Sequence, residues 1–373
     1  MNKVIPLSKP DITEAEISEV VEVLQSGVLS IGPKIIEFEK MFCEYFGKKH
    51  AIAVNSGTSA LHLLIRAFDI KDGDEVITTP YSFIASSNCI LFERAKPVFV
   101  DIDEKTYNID IDKIEAAITP KTKAILPVDV FGQPVDMDAI NDIARKHNLV
   151  VIEDACEAIG SEINGKKAGT QGDAGVFAFY PNKQITTAEG GVIVTDNDEV
   201  AELCRSMRSQ GRAVTGLWLY HERLGYNFRL SELHAALGIV QMKRLDEIIE
   251  KRAHVAQTYM NYLKNIQGIT LPYISPQVTK MSWFVLVIKL DENIEREQFI
   301  NFLLENGVSA KPYFTPIHLQ PFYREMGYKE GNYPVTEKVG AKTVALPFYN
   351  TLTEEEIRYI AEVVNEEVGK LGY

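Results

Sequence analysis

Short apolar runs recur along the first half of the chain, each followed by a polar turn and a stretch of helical spacing. The runs are Ala51–Val54, Glu75–Thr78, Pro97–Val100, Ala124–Val128 and Leu149–Ile152. Most are rich in β-branched residues, the composition of buried strands. Between them, Ala60–Phe68, a segment ending near Arg94, Ile111–Ile118 and Met137–His147 read as helices. Strands alternating with helices predict an α/β fold with a mostly parallel sheet covered on both faces. Ligands of such sheets bind at the carboxyl ends of the strands.

The flanks extend this pattern. Thr13 caps a helix through Ile17, Val20, Val21 and Leu24, and Gly27 ends it. A second helix runs from about Pro33 to Tyr45. Val176–Tyr180 and Val192–Thr195 are further strands, and Asp198–Ser209 is a helix. Gly211–Leu219 has small residues and no clear period. One long helix is predicted over Ser231–Leu263. The texture changes near Gly268, with strands at Trp283–Leu290 and Ser309–Tyr313 around a helix at Arg296–Glu305. Thr353 caps a closing helix, with Glu356 at capping-box spacing. A chain of 373 residues exceeds what one compact core usually holds. We expect a large domain over 1–250, including the N-terminal arm, and a small one over 251–373.

Charge and composition remove several function classes. The net charge of −13 argues against a nucleic-acid binder, whose footprint is basic. It leaves room for a small anionic ligand at a local site. Cys43, Cys89, Cys156 and Cys204 are scattered, with no CxxC pair, and the histidines show no HxH or HExxH spacing. No metal site and a reducing compartment are therefore expected. The N-terminal residues carry no apolar leader, and no run approaches the length of a membrane span. A cytoplasmic protein with no membrane partner fits these bounds.

Three strand ends carry unusual groups. Gly57-Thr58-Ser59 is a small-residue turn before a helix, suited to close backbone approach by a phosphate; an ordinary N-cap would look the same. Asp154 ends an apolar strand and, desolvated there, needs a cation, a metal or a protonated ring nitrogen as partner. Lys183 follows the strand Val176–Tyr180 and Pro181. Taken alone it reads as a solvated loop lysine, but at a sheet edge a desolvated amine can attack a carbonyl. A Schiff-base lysine, an acid on a ring nitrogen and a phosphate turn together describe one ligand, pyridoxal 5′-phosphate.

These residues resemble the DegT/DnrJ/EryC1/StrS family of sugar aminotransferases. The matching stretches are NSGTSALHLL, ITTPYSFIASSNCI, VIEDACEAIG, GDAGVFAFYPNKQITTAEGG, GYNFRLSELHAALGIVQ and KPYFTPIHLQPFY, in family order over most of the chain. The resemblance implies a fold-type I, aspartate aminotransferase-like α/β enzyme with a smaller C-terminal α+β domain. It implies that Lys183 bears the cofactor and moves the proton, and that Asp154 holds the ring nitrogen. Phe83 would stack on the ring, Gly57, Thr58 and Ser59 would hold the phosphate, and Glu157 would lie near the cofactor hydroxyl. Asn227 would reach the phosphate of a neighbouring subunit, which implies a homodimer with shared sites. Tyr313 and His318 would border the sugar. Ala178 departs from the pattern, because the family often has a serine there whose hydroxyl touches the phosphate; water or Asn182 would replace that contact.

The resemblance further implies a nucleotide-linked keto-6-deoxy sugar as acceptor and an amino acid, glutamate, as donor. EDACEAIG, NGKKAGTQGD and KPYFTPIHLQP look most like perosamine synthases, which act on GDP-4-keto-6-deoxymannose. Two other readings stay open: a sugar dehydratase or lyase using the same cofactor, and a non-catalytic cofactor-binding regulator. Relatives with dehydratase activity carry histidine in place of the lysine, so Lys183 favours amino transfer. A nicotinamide enzyme is disfavoured by the lack of GxGxxG after the first strand.

Overall fold

A computed structural model describes residues 4–213 and 219–370. Its centre is a seven-stranded sheet. From one edge the strands are His50–Val54, Gly191–Thr195, Ala174–Ala178, Val150–Asp154, Thr122–Leu126, Glu75–Thr78 and Lys96–Phe99. The last five in this order run parallel, while Gly191–Thr195 is antiparallel to both of its neighbours. The middle strands are buried on both faces, as parallel strands between helical layers must be, so they read as continuous apolar runs. On one face Phe38, Phe42 and Phe46 of the helix Pro33–Phe46 meet Phe177 and Phe179, with ring centres 4.5–5.9 Å apart. The helices Gly57–Ala67 and Asp198–Arg208 contribute to a separate core that includes Ile52, Val54, Val176 and Ile193.

A four-stranded antiparallel sheet, in the order Ile269–Thr270, Leu286–Leu290, Thr343–Leu346 and Lys311–Pro312, builds another core. The helix Leu245–Leu263 belongs to two cores. Leu245, Ile248 and Ile249 pack with the aromatic cluster of the large sheet, and Val255, Ala256, Tyr259 and Leu263 with the small sheet. Residue 250 thus falls inside a continuous helix. Ile5 bridges to Val308 and joins the small-sheet core. The closing helix Glu354–Lys370 has the expected box, with Thr353 and Glu356 exchanging bonds of 3.0–3.2 Å. Among the described residues no helix is long and apolar enough to cross a membrane.

Three expectations change. The long helix over Ser231–Leu263 is two helices, Glu232–Lys243 and Leu245–Leu263. The break at Arg244 (φ −100°) lies where its guanidinium binds Asp11 at 3.0 Å and Glu16 at 2.7 Å. A tertiary ion pair accompanies the bend, so no local glycine or proline announces it. The helix over Ile111–Ile118 is two short 3-10 turns. Its β-branched residues sit poorly in a helix, and Asp110 folds back on the Asp112 amide at 3.2 Å. Gly57-Thr58-Ser59 is the first turn of a helix rather than a turn before it, because Ser56 takes the N-cap and accepts the Ser59 amide at 3.1 Å. The loop from Gly211 to Leu224 lies partly outside the described residues, since 214–218 do.

Candidate active site

A cavity of about 530 Å³ opens at one end of the large sheet. Four strands of the large sheet that run in one direction feed it. Ser56, Gly57 and Thr58 follow the strand His50–Val54; Phe83 and Ser86 follow Glu75–Thr78. Asp154, Cys156 and Glu157 follow Val150–Asp154, and Ala178, Asn182 and Lys183 follow Ala174–Ala178. Tyr313 and Phe314 close it from the small-sheet side.

Asp154 is 3% exposed at the end of its strand. Ser86 Oγ donates to its Oδ2 at 2.8 Å, and the Cys156 amide donates to Oδ1 at 3.2 Å. Its direction is therefore set by two neighbours rather than by an ion pair. Ser86 also donates to the Phe83 carbonyl at 3.2 Å, so one hydroxyl ties the aspartate to the segment bearing Phe83. Phe83 is 61% exposed although it lines the cavity, which leaves its ring free to cover a bound planar group.

Lys183 is held by a turn, and its side chain is 12% exposed. Its amide donates to the Tyr180 carbonyl at 2.9 Å, and the neighbouring Gln184 Nε2 donates to the Glu157 carbonyl at 2.5 Å and to Ser282 Oγ at 2.8 Å. Lys183 Nζ lies 3.3 Å from Glu157 Oε1 and 3.9 Å above the Phe284 ring centre. Glu157 Oε2 accepts the Phe131 amide at 2.9 Å. Burial pushes the Glu157 carboxyl above the ordinary range, and the adjacent Lys183 works the other way.

The position expected to take a phosphate is built from backbone. Gly57 and Thr58 are the first helical residues, so their amides lack intrahelical acceptors and stand at the positive end of the helix dipole. A Cβ on Gly57 would lie 2.7 Å from Ala178 Cβ and 3.1 Å from Cys156 Sγ, so glycine alone allows this approach. Asn182 Oδ1, buried and without a partner among the described residues, also belongs to the lining. Ala178 packs against the phosphate turn. Ala178→Ser should tighten cofactor binding about tenfold, the worth of one hydrogen bond to a charged group. An unchanged dissociation constant in a cofactor titration would show that the missing contact is already supplied.

Not every expected residue comes to the cavity. Ser59 is turned to Ser56, with hydroxyls 2.9 Å apart. Asn227 is exposed and outside the cavity of its own chain. His318 is fully buried, with Nε2 2.8 Å from Glu337 Oε1 and its ring against Tyr333, also outside the cavity. Tyr313 does line it. Ser86 and Phe284 were not singled out from the sequence. A serine two residues into a helix and an aromatic at a strand start carry no local sign of function.

Beneath the site lies a second acid. Asp129 is fully buried; its Oδ1 accepts the Val135 amide at 2.9 Å, and its Oδ2 has no partner among the described residues. Burial and the charge of Glu153 push its carboxyl well above the ordinary range. Glu153 accepts the Gly169 amide at 2.6 Å and the Gln171 amide at 3.0 Å, so Asp129 is the acid that keeps the proton. An acid with a raised folded pKa costs nothing below its unfolded value, about 4, and destabilises as pH rises above it. Asp129→Asn should therefore gain melting temperature relative to the parent on going from pH 4 to pH 8. A difference independent of pH would refute the assignment.

A strand-end lysine, a buried aspartate fixed in direction and a bare helix N-terminus around one cavity form the constellation of a pyridoxal-phosphate enzyme. The residues present fit that group: the Gly57 approach leaves backbone donors for a phosphate, and among the described residues no cation forms a salt bridge with Asp154. A model of the DegT/DnrJ/EryC1/StrS aminotransferase family matches residues 10–365, and the chain belongs to that family. It is 38% identical to the GDP-perosamine synthase of Caulobacter vibrioides, over 97% of this chain and 98% of that one. The fold matches PseC of Helicobacter pylori, an aminotransferase of pseudoaminic acid biosynthesis, with a TM-score of 0.94 at 32% identity over 99% and 100% of the two chains. It matches the PLP-form of the sugar aminotransferase Spr1654 of Streptococcus pneumoniae, with a TM-score of 0.94 at 30% identity over 99% and 100%. The chain is thus an enzyme of the pyridoxal-phosphate-dependent sugar aminotransferase class.

Proposed function

We propose that this enzyme moves an amino group from glutamate to the keto carbon of a nucleotide-linked keto-6-deoxy sugar, with GDP-4-keto-6-deoxymannose as the first candidate. The observation that carries the reading is the placing of Lys183, Glu157 and Asp154 in one cavity with the Gly57 helix terminus. The perosamine synthase relative supports the choice of sugar.

Bound pyridoxal phosphate supplies an electron sink for negative charge at the substrate carbon. The protein does the rest. Asp154, held by Ser86 and the Cys156 amide, would keep a proton on the ring nitrogen. The Gly57 and Thr58 amides would bind the phosphate, with Asn182 beside them, and Phe83 would cover one ring face. Glu157 would lie by the phenolic oxygen and orient Lys183, whose Nζ would take and return the proton at the substrate carbon. Tyr313 would border the sugar from inside the cavity. His318, outside it, would shape that border by holding the segment after Tyr313 through its bond to Glu337.

Asn227, exposed and outside the lining of its own site, would serve the phosphate of a second subunit in a homodimer. A panel of keto sugar nucleotides with glutamate as donor tests the substrate. Mass spectrometry should find an amino sugar nucleotide with GDP-4-keto-6-deoxymannose. Product from another member of the panel instead would discard that sugar and keep the reaction.

A further inference from the structure

Asn227 is exposed, yet the segment that carries it is among the most tightly held near the site. The Tyr226 amide donates to the Met207 carbonyl at 2.6 Å and the Phe228 amide to the Arg208 carbonyl at 2.9 Å. From the other side the Asn55 amide donates to the Phe228 carbonyl at 2.9 Å, and Arg229 bridges to Val54. The Tyr226 and Phe228 rings stack at 4.7 Å with an angle of 4°. Such a segment is rigid and still presents its polar side chain to solvent.

What holds Tyr226 is a half-buried polar cluster. Glu93 is its centre. His62 Nε2 lies 2.8 Å from Glu93 Oε1, and the Tyr226 hydroxyl donates to the same oxygen at 3.0 Å. Arg66 donates to both carboxylate oxygens, at 3.3 and 3.1 Å. The His62 ring is 4.8 Å from Tyr226 and 5.0 Å from Phe92. The Glu93 side chain is 15% exposed, so its charge-assisted bonds are only partly screened.

The membership of this cluster is informative. His62 and Arg66 stand on the helix Gly57–Ala67, whose N-terminus is the phosphate position. Glu93 caps the end of the helix Ala85–Phe92, which follows Phe83. Tyr226 is the neighbour of Asn227. Two segments that build this chain's own site are thus fastened, through Tyr226, to the segment that carries Asn227, which the site does not use. A cluster needed only for the local site has no reason to include Tyr226.

We propose that Glu93, His62, Arg66 and Tyr226 form a clamp that positions Asn227 for the cofactor phosphate of a second subunit, so that they are positioning residues acting across the dimer. The proposal rests on the shared-site reading given above for Asn227. Loss of the clamp weakens cofactor binding in the site opposite, not in the site of the chain that bears the substitution.

Hybrid dimers separate the two. Glu93→Gln in both subunits should raise the apparent dissociation constant for pyridoxal phosphate about tenfold, as expected on weakening charge-assisted bonds. The readout is cofactor fixed to Lys183 by borohydride and counted by mass spectrometry, which sees only sites that possess Lys183. In a hybrid of one Glu93→Gln subunit with one Lys183→Ala subunit, the only lysine-bearing site faces an intact clamp. It should bind with parental affinity. Affinity still tenfold weak in the hybrid, or parental affinity in the Glu93→Gln homodimer, overturns the proposal. A parallel hybrid of Asn227→Ala with Lys183→Ala tests the underlying reading: if that one stays weak, the shared site itself is wrong. If Glu93→Gln does not fold, Tyr226→Phe removes a single hydroxyl from the clamp and takes its place under the same outcomes.

Discussion

Lys183→Ala should lower amino transfer by at least about 10⁴-fold, the upper range of a lost general base. The loss has two sources in the structure. Lys183 Nζ is the lysine amine of the cavity lining, paired with Glu157 Oε1 at 3.3 Å and over the Phe284 ring. On the proposed reading alanine removes both the covalent attachment point and the group that moves the proton. The backbone is insured against the change, because the turn is fixed by the Lys183 amide and by Gln184. The variant should therefore keep the parental melting temperature and still take up cofactor without a borohydride-stable link. Steady-state rates with the parental substrates check the first part, and mass spectrometry the second. Turnover that survives the substitution would mean another base.

The second large effect is expected at Asp154. Asp154→Asn keeps the size and the bond from the Cys156 amide, reverses the Ser86 contact so that the side-chain amide donates to Ser86 Oγ, and removes the charge. On the proposed reading Asp154 faces a protonated ring nitrogen, and a buried charge whose partner is left alone is worth about 3–5 kcal/mol. That predicts a fall of about 10²–10⁴-fold in rate. Ser86→Ala should cost much less, because Asp154 keeps its charge and one of its two orienting bonds. A loss at Ser86 equal to that at Asp154 would show that direction, not charge, is what matters at this carboxylate.

Much of this was legible in the chain. The seven strands of the large sheet were foreseen as short apolar runs, because strands buried on both faces have no polar face to hide them. Asp154 and Lys183 stood out because a charge at the end of such a run is costly without a task. Other features left no local mark. Arg244 divides a continuous helical pattern beside acids more than two hundred residues away in sequence. Gly57, Thr58 and Ser59 read as a turn because small polar residues also suit an N-cap, and the cap is Ser56, ahead of Ala60, where the apolar spacing places the helix start. Ser59 and His318 carry the expected residue types, yet their partners, Ser56 and Glu337, occupy them elsewhere. Ser86, Phe284 and the Glu93 clamp depend on contacts between segments that are distant in the chain, and periodicity says nothing about those.

The central claim is that one cavity accepts an amino group from an amino acid and gives it to a keto sugar. The most direct measurement is a visible spectrum of the protein reconstituted with pyridoxal phosphate and followed through two additions. Glutamate should abolish the absorbance of the bound aldehyde form as the cofactor takes the amino group, and a keto sugar nucleotide added afterwards should restore it. A protein that binds the cofactor through Lys183 and shows no change with glutamate or any other amino acid would contradict the account.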